Sequence, residues 1–143
     1  VNITYYSALN ADDDAYLIAR AIQLFAPGIP QLYYVGLLAD ENDTAAVAET
    51  GERRAINRHN YTANEIEAAA QRPVVQRLFR LIRFRNTYPA FEGAFRVLDS
   101  PDHTLWLMWQ CGDAVCTLQV DLITQTTCVL YRGTQGEWMR MGI

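Results

Sequence analysis

The stretch Phe25-Ala-Pro-Gly-Ile-Pro-Gln-Leu-Tyr-Tyr-Val-Gly36 constrains the fold of this chain more than any other. Ahead of it, Ala15 to Leu24 carries Tyr16, Leu17, Ala21, Ile22 and Leu24 at helical spacing. Pro27-Gly28 forbids continuation of that helix. After Pro30, the run Leu32-Tyr33-Tyr34-Val35 is short, apolar, aromatic and β-branched, and it stops at Gly36. Such a run reads as a strand covered on both faces. Helix end, tight turn and buried parallel strand in immediate succession are the grammar of the closing unit of a βα barrel.

Composition narrows the function classes. A chain of 143 residues, half of them hydrophobic, can bury one good core. Twelve basic against sixteen acidic residues give a formal charge of −4, which offers no general attraction for nucleic acid or for an anionic membrane. No segment approaches the roughly 20 uninterrupted apolar residues of a membrane span, so a soluble protein is expected. Cys111, Cys116 and Cys128 are odd in number and show no Cys-x-x-Cys spacing. They read as reduced residues of the core or sheet, in keeping with a cytoplasmic setting. The sequons at Asn2, Asn42 and Asn60 bear on the fold only in a secreted protein. Asp12-Asp13-Asp14 reads as the charged start of a helix rather than as a metal site, and no cofactor motif stands out.

Two unlike halves follow one another. From Val1 to Leu9 the chain is extended or irregular, and beyond Val35 a long excursion reaches about Gln71. It holds Ala-rich helical patches at Thr44 to Glu49 and Glu65 to Gln71, the second opened by the capping box Thr62-Ala-Asn-Glu65. Pro73 suits the first turn of a helix whose stripe Val74, Val75, Leu78, Phe79, Leu81, Ile82 and Phe84 faces a core and which ends before Pro89. Its arginines, Arg72, Arg77, Arg80, Arg83 and Arg85, read as solvated or paired with carboxylates rather than as a nucleic-acid stripe. From there the period changes from 3.6 to 2. Strands are expected around Phe95 to Leu98, His103 to Trp109, Ala114 to Leu122, Thr127 to Tyr131 and Trp138 to Met141, with Gln110-Cys-Gly-Asp113 as a hairpin turn. Trp106 reads as core or packing, with carbohydrate contact as the sharper alternative.

The run from Ala19 to Gly36 resembles the last strand region of the alpha-amylase superfamily, glycoside hydrolase family thirteen. Tyr34-Val-Gly-Leu-Leu38, Glu52-Arg-Arg54, Ile56-Asn-Arg-His59, Arg72-Pro-Val-Val75 and Leu81-Ile-Arg-Phe-Arg-Asn86 resemble, within it, the sucrose phosphorylases and their close relatives. The opening Asn2-Ile-Thr-Tyr-Tyr-Ser-Ala-Leu9 is similar to that group's segment following a mobile active-site loop. The resemblance implies an α/β plus β chain: residues 1–90 as the last helix–strand–helix of a TIM (β/α)8 barrel, and 91–143 as a small antiparallel β domain. A complete barrel needs about 250 residues, so the chain reads as the C-terminal part of a longer enzyme.

For that enzyme the resemblance implies retaining phosphorolysis of sucrose by phosphate through a covalent glucosyl-enzyme, with no cofactor or metal. The catalytic carboxylates would lie upstream, so no catalytic residue is assigned here. Arg54 matches the arginine that hydrogen-bonds the glucosyl unit, although the glycine usual before it is Arg53 in this chain. Arg58 and His59 are further substrate-binding candidates, and Asn2 and Tyr5 would border the acceptor subsite. Relatives acting on glucosylglycerate, glucosylglycerol or sucrose 6'-phosphate, and family-thirteen hydrolases or transglucosidases, remain alternatives. So does a non-catalytic module for carbohydrate binding or dimerisation, since an unpaired barrel strand exposes edges through which a homodimer would form.

Overall fold

The acidic run does what its chemistry suggests. The Asp12 carboxylate accepts the Ala15 N–H at 2.8 Å, and Asp13 and Asp14 occupy the first turn of α1, Asp13–Phe25. This is seen in a computed structural model that describes residues 2–143. Helix α1 ends before Pro27, and Gly28 takes φ 110°, a conformation open to glycine at no steric cost.

The expected strand Leu32 to Val35 is not formed; a four-residue helix α2, Tyr34–Leu37, takes its place. Tyr33 is still extended, at φ −75° and ψ 147°, but the next backbone groups bond locally, Leu37 N–H to Tyr33 C=O at 2.9 Å and Leu38 N–H to Tyr34 C=O at 3.2 Å. A parallel strand needs a ladder on its flank, and the one sheet among the described residues does not include this segment. Helical bonds satisfy the same groups without a neighbour. The turn is fixed from inside, where the buried Tyr16 hydroxyl donates to the Gly36 carbonyl.

The excursion forms α3, Thr44–Thr50, and α4, Ala63–Ala70. Asp43 caps α3, which closes on Gly51 at φ 70°. Both halves of the Thr62–Glu65 capping box cap α4. Helix α5 spans Pro73–Thr87, and β1 Ala94–Leu98, β2 Thr104–Cys111, β3 Ala114–Asp121, β4 Thr126–Arg132 and β5 Trp138–Gly142 follow. The expected strands are present, and they pair as an antiparallel meander in the order β1-β2-β3-β4-β5. The hairpin turn narrows to Gly112-Asp113, with Gly112 at φ 55°. Leu122, expected as the last residue of this strand, lies beyond it and is exposed.

By compactness the chain forms two units, residues 2–16 with 31–78, and 17–30 with 79–143, so the dividing lines after Tyr16 and after Leu78 fall inside α1 and α5. In the first, Thr4 N–H donates to Asn42 Oδ1 at 2.8 Å and Asn42 N–H to Ser7 Oγ at 2.9 Å, stitching the N-terminal segment to the excursion. Arg72 donates to the Ala39 carbonyl at 3.0 Å, and Arg77 pairs with Asp14 at 2.9 Å. In the second, Leu107, Trp109, Cys116, Leu118, Val120 and Val129 line the buried face of the sheet, and Leu17, Leu24, Phe25 and Leu81 are buried from the helices. Trp109 Nε1 donates to the Phe25 carbonyl at 2.7 Å. Arg85 Nε donates to the Leu24 carbonyl at 2.8 Å while its guanidinium lies 4.4 Å from the centre of the Phe91 ring. Arg72 and Arg85, expected to be solvated or paired with carboxylates, therefore hold backbone carbonyls instead; Arg80 and Arg83 are exposed as expected. The three cysteines are free, and burial pushes the Cys116 thiol up to about 12, so it stays protonated and unreactive.

Gly93 is the tightest backbone approach in the second unit: a Cβ there would sit 1.9 Å from the Gln110 carbonyl oxygen and 2.8 Å from Cys111 Cα, both main-chain atoms that cannot swing aside. Gly93→Ala is therefore expected to destabilise by about 1–3 kcal/mol, the usual cost of overpacking. The urea midpoint should fall with an unchanged slope; an unaltered midpoint would refute the close approach of β2 to this turn.

Candidate functional site

Asp43 organises the loop that carries the candidate residues. Its own N–H donates to the Ile56 carbonyl at 2.8 Å, Oδ1 accepts the Ala46 N–H at 2.8 Å as the cap of α3, and Oδ2 lies 2.6 Å from His59 Nδ1. On its other side, His59 Nε2 is 3.5 Å from Glu65 Oε1 in the first turn of α4. Between these anchors Arg53–Asn57 makes a 3₁₀ turn, closed by the Ala55 N–H on the Glu52 carbonyl and the Arg58 N–H on the Ala55 carbonyl, both at 3.0 Å. Nearby, the Tyr61 hydroxyl donates to Asp40 Oδ2 at 2.6 Å, and its ring packs on Tyr34 and His59 at 5.9 and 4.6 Å.

Two cavities flank the turn. One of about 500 Å³ is lined by Tyr33, Tyr34, Asp43, Glu52, Arg58 and His59, among others. The other, about 300 Å³, is lined by Asn2, Tyr33, Arg54, Asn57 and Arg58. Tyr33 and Arg58 border both. Asn2 also donates from its side-chain amide to the Arg53 carbonyl at 3.3 Å. Of the expected residues, then, Asn2, Arg54 and Arg58 come together in one cavity, and Arg58 and His59 in the other. Tyr5 joins neither lining; its exposed ring packs edge-on to Tyr16, with centroids 5.9 Å apart. Arg54 is exposed, and its guanidinium has no hydrogen-bond or ion-pair partner among the described residues, so its five donors remain open to a ligand.

The electrostatics favour binding over chemistry. The hydrogen bond that His59 donates to the Asp43 carboxylate raises the His59 pKa above its ordinary 6.5, and the same bond lowers that of Asp43. The Thr62 backbone N–H, more than His59, lowers that of Glu65. Burial and the Asp40 carboxylate push the Tyr61 phenol far above its ordinary range. Both ring nitrogens of His59 face carboxylates, which makes the imidazole a strut rather than a free base. Guanidinium and amide donors beside aromatic walls suit a hydroxyl-rich ligand. No group of three or more His, Cys, Asp or Glu placed to hold a metal occurs among the described residues.

Asp43, Tyr33 and Tyr34 were absent from the sequence-based candidates. Asp43 shows in the sequence only as the cap before Thr44-Ala-Ala; its pairing with His59, sixteen positions away, leaves no local trace. The tyrosines read as interior strand residues until the helical turn at Tyr34–Leu37 left both exposed.

No protein-family model matches the chain. It is 57% identical over 96% of its length to a sucrose 6(F)-phosphate phosphorylase of Thermoanaerobacterium thermosaccharolyticum, 52% over 90% to a glucosylglycerol phosphorylase of Marinobacter adhaerens, and 54% over 84% to a sucrose phosphorylase of Agrobacterium vitis. It covers 28%, 27% and 25% of those proteins, so it spans about a quarter of the length of these relatives. The crystal structure of sucrose 6F-phosphate phosphorylase from Thermoanaerobacter thermosaccharolyticum superposes with a TM-score of 0.97 at 55% identity, over 99% of this chain and 29% of that one.

The His59–Asp43 pair carries a pH signature. A raised histidine pKa stabilises the folded state fully below its ordinary 6.5 and loses that contribution as pH rises through the folded value; the lowered Asp43 contributes above 3.8 and loses its share as pH falls through its folded value. The pair should therefore stabilise the loop most between these limits. In an NMR titration His59 is expected to deprotonate above 6.5 and to return toward that value in Asp43→Asn. An ordinary His59 titration in the unaltered chain would rule the pair out.

Proposed function

The chain belongs to the sucrose phosphorylases and their relatives, and from that premise we propose that it is the C-terminal part of a retaining α-glucoside phosphorylase of glycosyltransferase type. The whole enzyme converts sucrose and phosphate to α-glucose 1-phosphate and fructose. The observation that carries this reading is the identity to several phosphorylases across nearly the whole chain. On it, residues 1–90 are the C-terminal part of the TIM-barrel domain and 91–143 the antiparallel β domain that follows it. The protein acts in the cytoplasm without nucleic acid or membrane, in keeping with its charge of −4 and its free cysteines. Two copies would associate through the exposed apolar positions Tyr33 and Tyr34 if these are left uncovered.

In this reading the fragment supplies binding, not the nucleophile. Arg54 donates to a hydroxyl of the glucosyl unit, and Arg58 and Asn2 complete the polar wall of the same cavity. His59 holds the turn through Asp43 and Glu65, and Tyr5 borders the acceptor side. A charged hydrogen bond helps most where it tightens as charge develops on the sugar ring. One observation favours sucrose 6(F)-phosphate as the substrate instead: the 57% identity, over 96% of the chain, to a sucrose 6(F)-phosphate phosphorylase.

Incubating the full-length enzyme with sucrose and phosphate should yield glucose 1-phosphate, whereas free glucose alone would sink the phosphorylase reading. A strong preference for sucrose 6(F)-phosphate would select the second substrate. Arg54→Ala should lower kcat/KM for phosphorolysis by about tenfold or more, as expected for a lost charge-assisted hydrogen bond. Unchanged kinetics would remove Arg54 from the site.

A further inference from the structure

The meander has a second face, turned away from Leu107, Trp109 and Leu118. Across it runs the row Trp106, Gln119, Cys128, Gly142, one residue from each of β2 to β5. Gly142 ends the row with no atom within 4 Å of where a Cβ would stand, so this end of the row is open. A groove of about 280 Å³ results, with Trp106 on one side, Arg140 on the other and Gln119 in its floor. It shares no residue with the cavities around Arg54.

Three polar side chains of this groove have donors left without partners. Among the described residues nothing accepts from the Trp106 indole N–H, the Gln119 side-chain NH₂ or the Arg140 guanidinium; the Gln119 oxygen meets only the Cys128 thiol, at 4.0 Å. At one end Asp121 lines the groove, its Oδ1 accepting the Ile123 and Thr124 N–H groups at 2.9 Å and its Oδ2 3.8 Å from His103 Nε2. An anion drawn to Arg140 would also meet this carboxylate, so the lining of mixed sign suits a neutral ligand rich in acceptors. The half-buried Trp106 adds an indole surface for an apolar ring face.

We propose that this groove is a binding site for a neutral pyranoside, stacked on Trp106 and held at its hydroxyls by Gln119 and Arg140. The test follows the Trp106 indole N–H by ¹⁵N NMR of the full chain during titration with sucrose, methyl α-glucoside and, separately, inorganic phosphate. Both sugars should shift the Trp106 resonance saturably, Arg140→Gln should weaken the effect several-fold, and Arg54→Ala should leave it intact. Gln119→Ala, a milder change at the floor of the groove, should weaken it as well. Absence of a sugar-dependent shift would overturn the proposal. So would a shift produced by phosphate and not by sugar, a shift lost in Arg54→Ala, or sugar affinity unchanged in both Arg140→Gln and Gln119→Ala.

Discussion

The C-terminal end of α1 is where the second unit is held together. A helix leaves its last carbonyls without intrahelical partners, and here those of Leu24 and Phe25 must be satisfied next to a core. Two side chains from distant sequence do this. Trp109 reaches from β2 to Phe25, and Arg85 reaches from α5 to Leu24 and Gly28. The same side chains pack against Phe91, so hydrogen bonding and apolar packing are met by one cluster. Loss of either donor would leave a carbonyl unpaired in a poorly solvated setting, which costs more than the hydrogen bond contributes when made. The seating of β2, and through its pairing that of β1 and β3, depends on this cluster.

In the first unit a single carboxylate has the corresponding place. Asp43 starts α3, closes the loop through its own backbone N–H and receives His59, so helix cap, loop closure and side-chain strut share one residue. The turn bearing Arg54 is positioned by these contacts rather than by apolar burial, and none of its residues is buried. Polar anchoring leaves the arginine side chains in solvent while limiting the backbone, an arrangement suited to recognising a polar ligand.

Much of this was legible in the sequence because the signals are local. The capping box Thr62–Glu65, Pro73 at the start of α5 and the period-two alternation of Trp106 to Trp109 each act within a few residues, and each element formed where its pattern stood. The segment 32–35 did not, because an apolar β-branched run fixes only a preference, while a strand also needs a partner to receive its backbone bonds. Arg72 and Arg85 were misread for a related reason: their carbonyl acceptors lie more than thirty positions away and carry no side-chain signature. The site shows the same split. Arg54, Arg58 and Asn2 share a cavity, whereas Tyr5, close in sequence to Asn2, turns to Tyr16.

The bond between the Asp43 N–H and the Ile56 carbonyl makes the intervening segment a stem-and-tip structure whose stem is set independently of its tip. Loop-closure entropy grows only slowly with length, so residues inserted or exchanged between Thr44 and Ala55 would remodel the cavity rim at little cost while the stem stays fastened. The shape of the rim is thereby separated from the anchor that holds its backbone.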